Sequence, residues 1–364
     1  MLHDMLSERQ QAILDEFLQD PEQALSVSDL MPVVNVERTT LFRDLSAMVE
    51  VGVLVAEAST RARTYRLNPS SDDYLRWDLS RPPQQRAEVR YNPDLLANYQ
   101  PNQSFLLSTE QRQRLAAVGT LKDSEPLEAG RNYTRLIATL LIDLAHASSN
   151  LENVPISWLD TKTLLEFGEH PDGLNETELK IVLNHKAAIS HLTSYAANMQ
   201  LVQRDLFDLY ALIADGLIAE VSAIGRLRSR VVRFSDSRYL PPDNPHLLKE
   251  AFDLFCEKAT QIEDPFEQAF FAMTFLPYLQ PFQDGNKRTS RLSMNIPLLK
   301  NHLAPFSFTD LRKRDYMFGL LAFYERGRHE FLADAFVKAY QTTAPRYAEL
   351  VSYVQQGGML GMLS

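Results

Sequence analysis

The chain has 364 residues, 45% of them hydrophobic and 10% aromatic, which is more than one ordinary domain needs and ample for packed cores. Its formal net charge of −10 excludes a wholly basic nucleic-acid-binding protein, although it leaves room for a small local basic face.

We expect a cytoplasmic protein that neither crosses nor enters a membrane. No segment reaches 18 consecutive apolar residues, and the first residues lack a basic stretch followed by an apolar one, which a secretory signal would need. Cys256 is the only cysteine, so intramolecular disulfides and cysteine-rich metal sites are excluded, and a reducing compartment fits.

Two stretches rich in Pro, Asn, Ser and Gly, 68–104 and 119–132, have the composition of linkers and turns. They divide the chain into four predicted parts. These are a small winged helix-turn-helix-like domain at 1–70, a linker with connecting helices at 71–130, a large domain at 131–342 and a C-terminal tail at 343–364.

The first 70 residues predict three helices followed by a hairpin. Ser7 is placed to cap the first helix, and residues 26–34 give a short second helix. Asn35 is placed to cap the third, which ends before Gly52 at a position that favours a left-handed residue. This order is typical of a winged helix-turn-helix, with residues 37–51 as the recognition helix.

Residues 53–56 and 64–67 flank a turn at 59–61 and predict the two-stranded wing. The candidate DNA contacts are polar side chains of the recognition helix and wing: Arg38, Thr39, Thr40, Arg43, Arg61 and Arg63. However, residues 1–70 hold six Arg or Lys against eleven Asp or Glu, and duplex affinity comes largely from neutralised phosphates. Binding of duplex DNA therefore stays open beside homodimerisation and protein docking.

Beyond residue 130 the sequence predicts helices almost throughout. The longest periodic stretches are 133–147, 176–198, 200–224, 245–262, 265–276, 288–301, 309–326 and 329–342. The exception is 226–242, which alternates and ends in Pro241-Pro242, as a hairpin or flap would. The predicted fold class is mainly α, with an all-helical core, a β-hairpin flap and the small winged domain in front.

The loop at 279–291, Leu-Gln-Pro-Phe-Gln-Asp-Gly-Asn-Lys-Arg-Thr-Ser-Arg, carries the most chemical information. Gly285 allows a tight turn, and the unpaired N–H groups of the helix that follows suit an anion. Arg288 and Arg291 are three residues apart and form a two-pronged phosphate grip. Asp284 is placed to hold Mg²⁺ against the same phosphates. The alternative is an ordinary helix start with two solvated arginines.

This run resembles the signature of the Fic family, His-x-Phe-x-Asp-Gly-Asn-Gly/Lys-Arg-x-x-Arg. Six signature residues stand in place: Phe282, Asp284, Gly285, Asn286, Arg288 and Arg291. The resemblance covers roughly residues 108–342. It implies a compact all-α core with a flap over the active site, and transfer of AMP from ATP to a hydroxyl of a target protein.

The resemblance also implies a role for each matching residue. Asp284 would ligate Mg²⁺, Asn286 and the loop amides would hold the α-phosphate region, and Arg288 and Arg291 would hold the outer phosphates of ATP. Phe282 would anchor the loop in the core. The flap would align a segment of the target protein by strand addition.

Two departures from the signature matter. Gln280 occupies the position of the family's general-base histidine, and an amide has no usable basicity near neutral pH. His146 and His246 are the better candidates among the histidines to approach the loop in space. Lys287 replaces the usual glycine and resembles the death-on-curing kinase branch, where phosphate orientation and outcome differ.

Residues 148–153, Ser-Ser-Asn-Leu-Glu-Asn, end a predicted inhibitory helix at 133–153. They resemble the family's inhibitory motif, Ser/Thr-x-x-x-Glu-Gly/Asn, with Ser148, Glu152 and Asn153 in place. The resemblance implies that Glu152 pairs with Arg291 and occupies the grip that the γ-phosphate needs. The alternative is a surface glutamate without a partner.

Together these features predict an ATP-binding protein with a degenerate catalytic motif and an autoinhibitory glutamate, acting as a regulator through its winged-helix head. Two alternatives stay open. One is a working adenylyltransferase or phosphotransferase that modifies a hydroxyl of a target protein docked at the flap. The other is an interaction scaffold that binds neither DNA nor nucleotide.

Overall fold

The structure, a computed structural model, describes residues 6–57, 63–120 and 131–355. The chain forms two compact units, Met1–Ala87 and Glu88–Ser364, called unit 1 and unit 2 below. Unit 1 extends beyond residue 70 because a fourth helix, Asp72–Ser80, packs on the first helix, Glu8–Gln19. Among the helices of the described ranges, none is long and apolar enough to cross a membrane.

Unit 1 has the predicted order of three helices and a hairpin, with a short extra strand before the second helix. Its elements are α1 (Glu8–Gln19), β1 (Leu25–Ser26), α2 (Val27–Val34), α3 (Arg38–Glu50), β2 (Leu54–Glu57), β3 (Thr64–Leu67) and α4 (Asp72–Ser80). The strands form an antiparallel sheet in the order β1-β3-β2, with Leu54 opposite Leu67. Ser7 caps α1 as predicted, through a capping box with Gln10.

The predicted cap of the third helix is wrong. Asn35 ends α2 instead, in a left-handed conformation with φ of 45°, and its N–H donates to the carbonyl of Met31. Asparagine tolerates that conformation well because its short polar side chain bonds locally. Glu37 then occupies the N-cap of α3 without a side-chain hydrogen bond, and Gly52 follows the helix in the left-handed region as expected.

Within the described residues, the regular structure of unit 2 is helical except for two short strands, which confirms the mainly α core. Its elements are β4 (Val89–Arg90), α5 (Asp94–Ala97), α6 (Thr109–Gly119), α7 (Arg131–Leu151), α8 (Trp158–Phe167), α9 (Glu176–Tyr195), α10 (Gln203–Ala214), β5 (Tyr239–Leu240), α11 (Pro245–Gln261), α12 (Pro265–Leu279), α13 (Asn286–Ser293), α14 (Asn295–Lys300), α15 (Lys313–Arg326) and α16 (Glu330–Gln355). Helix α12 is buried on all sides and is the central element. It delivers the chain directly into the loop at 279–291.

The β-hairpin predicted at 226–242 is wrong. Residues 226–238 contain no strand, and β5 pairs in parallel with β4 instead of with a neighbouring hairpin strand. Within this segment Arg228 is buried, and its side chain donates to the backbone carbonyl of Arg230. A backbone whose carbonyls accept from a side chain does not form a regular ladder.

Two helix ends also differ from the periodicity. Helix α10 stops at Ala214, ten residues short of the predicted end, where Gly216 adopts a φ of 67°. Helix α16 continues to Gln355, so much of the predicted tail from residue 343 is helical. Pro345 lies inside this helix without ending it.

Candidate functional site

The motif loop is held by its own side chains between α12 and α13. Gln280 ends α12 with a φ of 49°, and Gly285 precedes α13 with a φ of 76°. Phe282 is fully buried and stacks on Tyr210, with ring centroids 4.0 Å apart. Asn286 accepts from the Phe282 N–H at 2.8 Å and donates to its carbonyl at 2.9 Å. This arrangement leaves the first turn of α13 presented as an anion site.

Gln280, in the position of the family histidine, has both ends of its amide engaged. Its Nε2 donates to the carbonyl of Pro277 at 2.8 Å, and its Oε1 accepts from Nδ2 of Asn286 at 2.9 Å. The residue is 8% exposed. The amide therefore shapes the loop by fixing Asn286, and it has no lone pair basic enough to accept a proton.

Arg228 holds the segment 226–242 against this loop. The sequence did not predict this role. Its Nε donates to the Gln280 carbonyl at 2.6 Å, its Nη1 to the Arg230 carbonyl at 2.9 Å and its Nη2 to the Pro242 carbonyl. Its backbone N–H also donates to the Pro281 carbonyl at 2.9 Å. Burial lowers the pKa of Arg228 to about 10, which leaves it charged at neutral pH.

The two arginines of the motif are buried rather than solvated. Arg288 donates to the Asp284 carboxylate at 2.9 Å, and its side chain is 5% exposed. The side chain of Arg291 is 0% exposed. In the described ranges, Nε and Nη1 of Arg288 and Nη1 of Arg291 have no hydrogen-bond partner. Buried cationic donors without partners are costly and indicate a place for an anion.

Glu152 contacts Arg291, as the inhibitory motif implied. Its Oε1 lies 2.6 Å from Nη2 of Arg291, and its side chain is 22% exposed. Burial alone would raise the pKa of Glu152, but the charges of Arg291 and Arg288 lower it to about 2. Asn153 follows with a φ of 67°, where its side chain accepts from Lys313 at 2.5 Å.

Ser148 connects this ion pair to a buried histidine. Its hydroxyl accepts from Nε of Arg291 at 2.8 Å and lies 2.7 Å from Nε2 of His185. Nδ1 of the same ring lies 3.1 Å from the hydroxyl of Ser149. Burial, with the charges of Arg291 and Arg288, lowers the pKa of His185 to about 3. His185 is therefore neutral at every pH at which the protein is ordinarily studied.

The expectation for His146 and His246 is corrected here, because neither lies in this cluster. His146 contacts Asn150 and Thr161, and His246 is exposed at the start of α11. His185 comes close because α7 and α9 pack side by side. It reaches Ser148 behind Arg291 and has no contact with Gln280 among those the structure describes.

We expect His185 to make stability depend on pH. Its pKa is about 3 in the fold against 6.5 ordinarily, so the unfolded chain takes up the proton first. The contribution of His185 to stability is fully present above pH 6.5 and falls by about 1.4 kcal/mol per pH unit below it, until the pH approaches the folded pKa of about 3. In urea unfolding at stepped pH, His185→Gln should reduce the slope of the unfolding free energy against pH by about one proton. This holds down to pH 4.5, below which Glu152 of the unfolded chain also takes up a proton.

The matched control is His246→Gln, which changes an exposed histidine. The pKa values of His146 and His329 are also lowered by burial, so the slope of the His185 variant should fall without vanishing. An unchanged slope in His185→Gln would contradict the burial of a neutral imidazole at this position.

Asp284 meets the requirement for one carboxylate at a magnesium–phosphate site. Its side chain is 67% exposed, its Oδ2 faces Arg288, and its Oδ1 accepts from the Gly285 N–H at 2.6 Å. The described residues hold no cluster of three or more His, Cys, Asp or Glu that binds a metal by itself. Mg²⁺ is commonly bound by one or two carboxylates together with substrate phosphates, so the residues present fit.

The candidate DNA contacts lie in unit 1. Arg38, Thr39 and Arg43 are exposed on α3 and Thr40 is half-buried, while Arg61 lies outside the described residues. The guanidinium of Arg63 lies over two rings, 5.6 Å from the centroid of Phe42 and 5.4 Å from that of Tyr65. Arg63 thereby joins the wing to the exposed face of α3.

A family model matches the segment that contains the motif loop. Residues 200–298 match the model of the Fic/DOC family. Protein adenylyltransferase fic-1 of Caenorhabditis elegans is 24% identical over 55% of this chain and 40% of its own length. Protein adenylyltransferase Fic of Nematostella vectensis is 38% identical over 25% of this chain and 22% of its own. The chain thus spans less than half the length of these curated relatives.

The same likeness is present among solved structures. A Fic-1 fragment from Caenorhabditis elegans superposes with a TM-score of 0.57 at 18% identity, over 93% of this chain and 98% of that one. A Fic-family protein from Desulfovibrio desulfuricans gives a TM-score of 0.52 at 20% identity, over 71% and 77%. At these identities the superpositions show the fold alone.

Proposed function

Because residues 200–298 match the model of the Fic/DOC family, we propose that unit 2 binds ATP with Mg²⁺ at the motif loop. The observation that carries the proposal is the pair of buried arginines with unpartnered donors beside the first turn of α13. Guanidinium donors and helix N–H groups together favour a polyphosphate. Asp284 is the residue that would hold Mg²⁺ against it, and Asn286 would face the α-phosphate region.

The proposed activity is that of a regulator that binds the nucleotide without efficient transfer. Gln280 is tied to Pro277 and Asn286 and offers no base, and Glu152 occupies Arg291. Losing a general base typically costs about 10²–10⁴ in rate. The alternative is an active adenylyltransferase or phosphotransferase, which the names of the curated relatives favour; a target protein would then dock at residues 226–242.

We expect Mg²⁺-ATP to bind the Glu152→Gly variant with measurable heat in titration calorimetry, because Arg291 is then free for phosphate. Arg288→Ala added to that variant should weaken binding by about 1.5–3 kcal/mol, the range for hydrogen bonds to charged groups. Arg204→Ala removes a mostly exposed arginine and is the matched control. Absence of heat with every nucleotide in Glu152→Gly would overturn the proposal.

Unit 1 supports a second role, binding of duplex DNA. The observation that favours it is the continuous surface of α3 and Arg63 described above, where Arg38 and Arg43 are exposed. Within the described residues neither of these two arginines has an ion-pair partner, whereas Arg9 and Arg66 are paired with Asp44 and Glu57. The basic groups are thus segregated despite the acidic composition, as phosphate contacts require.

If unit 1 binds DNA, the affinity should fall steeply with salt. Arg43→Ala combined with Arg63→Ala should flatten the plot of log affinity against log salt by about two phosphate contacts. Fluorescence anisotropy with a mixed-sequence duplex at stepped salt measures this slope. Arg204→Ala combined with Lys300→Ala removes two charges from unit 2 and controls for net charge. A failure to bind any duplex at low salt would leave dimerisation or protein docking as the role of this unit.

A further inference from the structure

A cavity of about 430 Å³ lies beside the C-terminal turn of α7, outside the motif loop. Its described lining residues come from α7, α8, the segment 308–311, α15 and α16, and none of them belongs to residues 279–291. The volume is in the range of sites that bind small molecules. The nucleotide site proposed above does not account for it.

The lining combines aromatic walls with one cation that has no carboxylate partner among the described residues. Trp158 and Phe308 supply the walls, and Lys313 supplies positive charge. Arg346 also lines the cavity, but its Nη2 lies 3.1 Å from Oδ1 of Asp310, so its charge is already paired. The only carboxylate among the described lining residues, Asp143, already accepts from Nε1 of Trp158 at 2.8 Å and from the Tyr347 hydroxyl at 3.0 Å. A flat apolar body that carries one anionic group matches this combination.

Phe308 holds its place in the wall at a conformational cost. Its φ is 65°, in the left-handed region that bulky residues rarely adopt. Its ring packs edge-on against Phe306, with centroids 4.6 Å apart, and against Tyr316, 6.0 Å away. Tyr316 in turn lies 5.9 Å from the guanidinium of Arg291. Such backbone outliers cluster at ligand sites and switch regions.

Lys313 links the cavity to the inhibitory glutamate. Its ammonium donates to the carbonyl of Asn150 at 3.1 Å and to Oδ1 of Asn153 at 2.5 Å. These two residues flank Glu152 in the chain. Both acceptors are neutral, and the described residues give Lys313 no carboxylate partner. An anion in the cavity therefore competes for Lys313 on favourable electrostatic terms.

We propose that this cavity is a regulatory site for a small aromatic molecule with one anionic group. The anion draws Lys313 away from Asn150 and Asn153, which loosens the turn that positions Glu152 and frees Arg291. The consequence for nucleotide rests on the proposed function, whereas occupancy of the cavity does not.

Occupancy is tested with 1-anilinonaphthalene-8-sulfonate, an aromatic monoanion whose fluorescence rises in apolar surroundings. Titration of the 364-residue chain should show saturable binding at one site. Lys313→Met should weaken it by about fivefold or more through loss of the charge. Lys249→Met, the same change at an exposed lysine of α11, should leave it unchanged. Thr309→Trp should fill the cavity from an exposed position and abolish binding.

Near-ultraviolet circular dichroism checks that each variant keeps its native packing. Equal probe affinity in the native protein, Lys313→Met and Thr309→Trp would place the probe elsewhere and overturn the proposal. Because Thr309→Trp changes shape and Lys313→Met changes charge, a folding defect in one of them leaves the other as the test.

Coupling is tested by measuring the affinity for Mg²⁺-ATP with and without saturating probe. The probe should tighten ATP binding by about fivefold or more, with a reciprocal effect of ATP on the probe. Lys313→Met and Glu152→Gly should each remove the effect of the probe on ATP affinity.

If Glu152→Gly binds ATP and the native protein shows no coupling, the regulation is overturned and the nucleotide site stands. If no form binds ATP, the proposed function and the coupling both fail, and probe binding still decides whether the cavity is a site.

Discussion

Replacing Glu152 with glycine is expected to lower the free energy of unfolding of the nucleotide-free protein by about 3 kcal/mol. Removing one partner of a buried ion pair costs about 3–5 kcal/mol because the other charge stays behind. Arg291 is fully buried, whereas Glu152 is 22% exposed, which places the effect at the lower end. Urea unfolding at pH 7 measures it, since Glu152 with a pKa of about 2 is fully ionised there.

Glu152→Gln separates charge from backbone effects in this experiment. Glutamine keeps the hydrogen bond to Arg291 but not the charge, so its loss should be smaller than that of glycine. Mg²⁺-ATP should restore part of the stability of both variants, because phosphate then faces Arg291. A Glu152→Gly protein as stable as the native one would show that the pair contributes nothing and that Arg291 is compensated elsewhere.

The contact between Glu152 and Arg291 could be predicted because both residues stand in short motifs that resemble those of the Fic family, and the resemblance implies that they pair. The turn at Gly285 and the start of α13 at Asn286 were predictable for a similar reason, since each depends on a few neighbouring residues. In unit 1, Ser7 and Gly52 marked their helix ends correctly through the same local chemistry.

The rest depends on contacts between segments that are distant in the chain. The burial of Arg291 follows from its bond to Ser148, 143 residues away, which no local pattern contains. Arg228 was interpreted as part of an alternating strand, because its bond to the Gln280 carbonyl joins segments 52 residues apart. The prediction for Asn35 was wrong although only local contacts are involved. Asparagine suits both an N-cap and a left-handed helix end, and in this fold it takes the second position.

The arrangement around Gln280 also bears on whether the site can be made active. The Pro277 carbonyl that accepts from Nε2 of Gln280 lies where it could instead fix a histidine ring. A histidine whose Nδ1–H donates to that carbonyl keeps Nε2 unprotonated, which is the tautomer a general base needs. Asn286 would keep both backbone bonds to Phe282 that hold the loop.

We therefore expect Gln280→His combined with Glu152→Gly to transfer label from α-labelled ATP, to itself or to a lysate protein, about 10²–10⁴ above either single variant. Glu152→Gly alone should bind nucleotide without transfer, since the base is missing. Gln280→His alone should show weak transfer, since Arg291 is still paired.

Gln280→Asn with Glu152→Gly is the matched control without basicity. Label is followed from the γ-position as well, because Lys287, adjacent to Arg288, bears on which phosphate faces the hydroxyl. If the double variant binds ATP tightly and transfers neither group, Gln280 is not what silences this site.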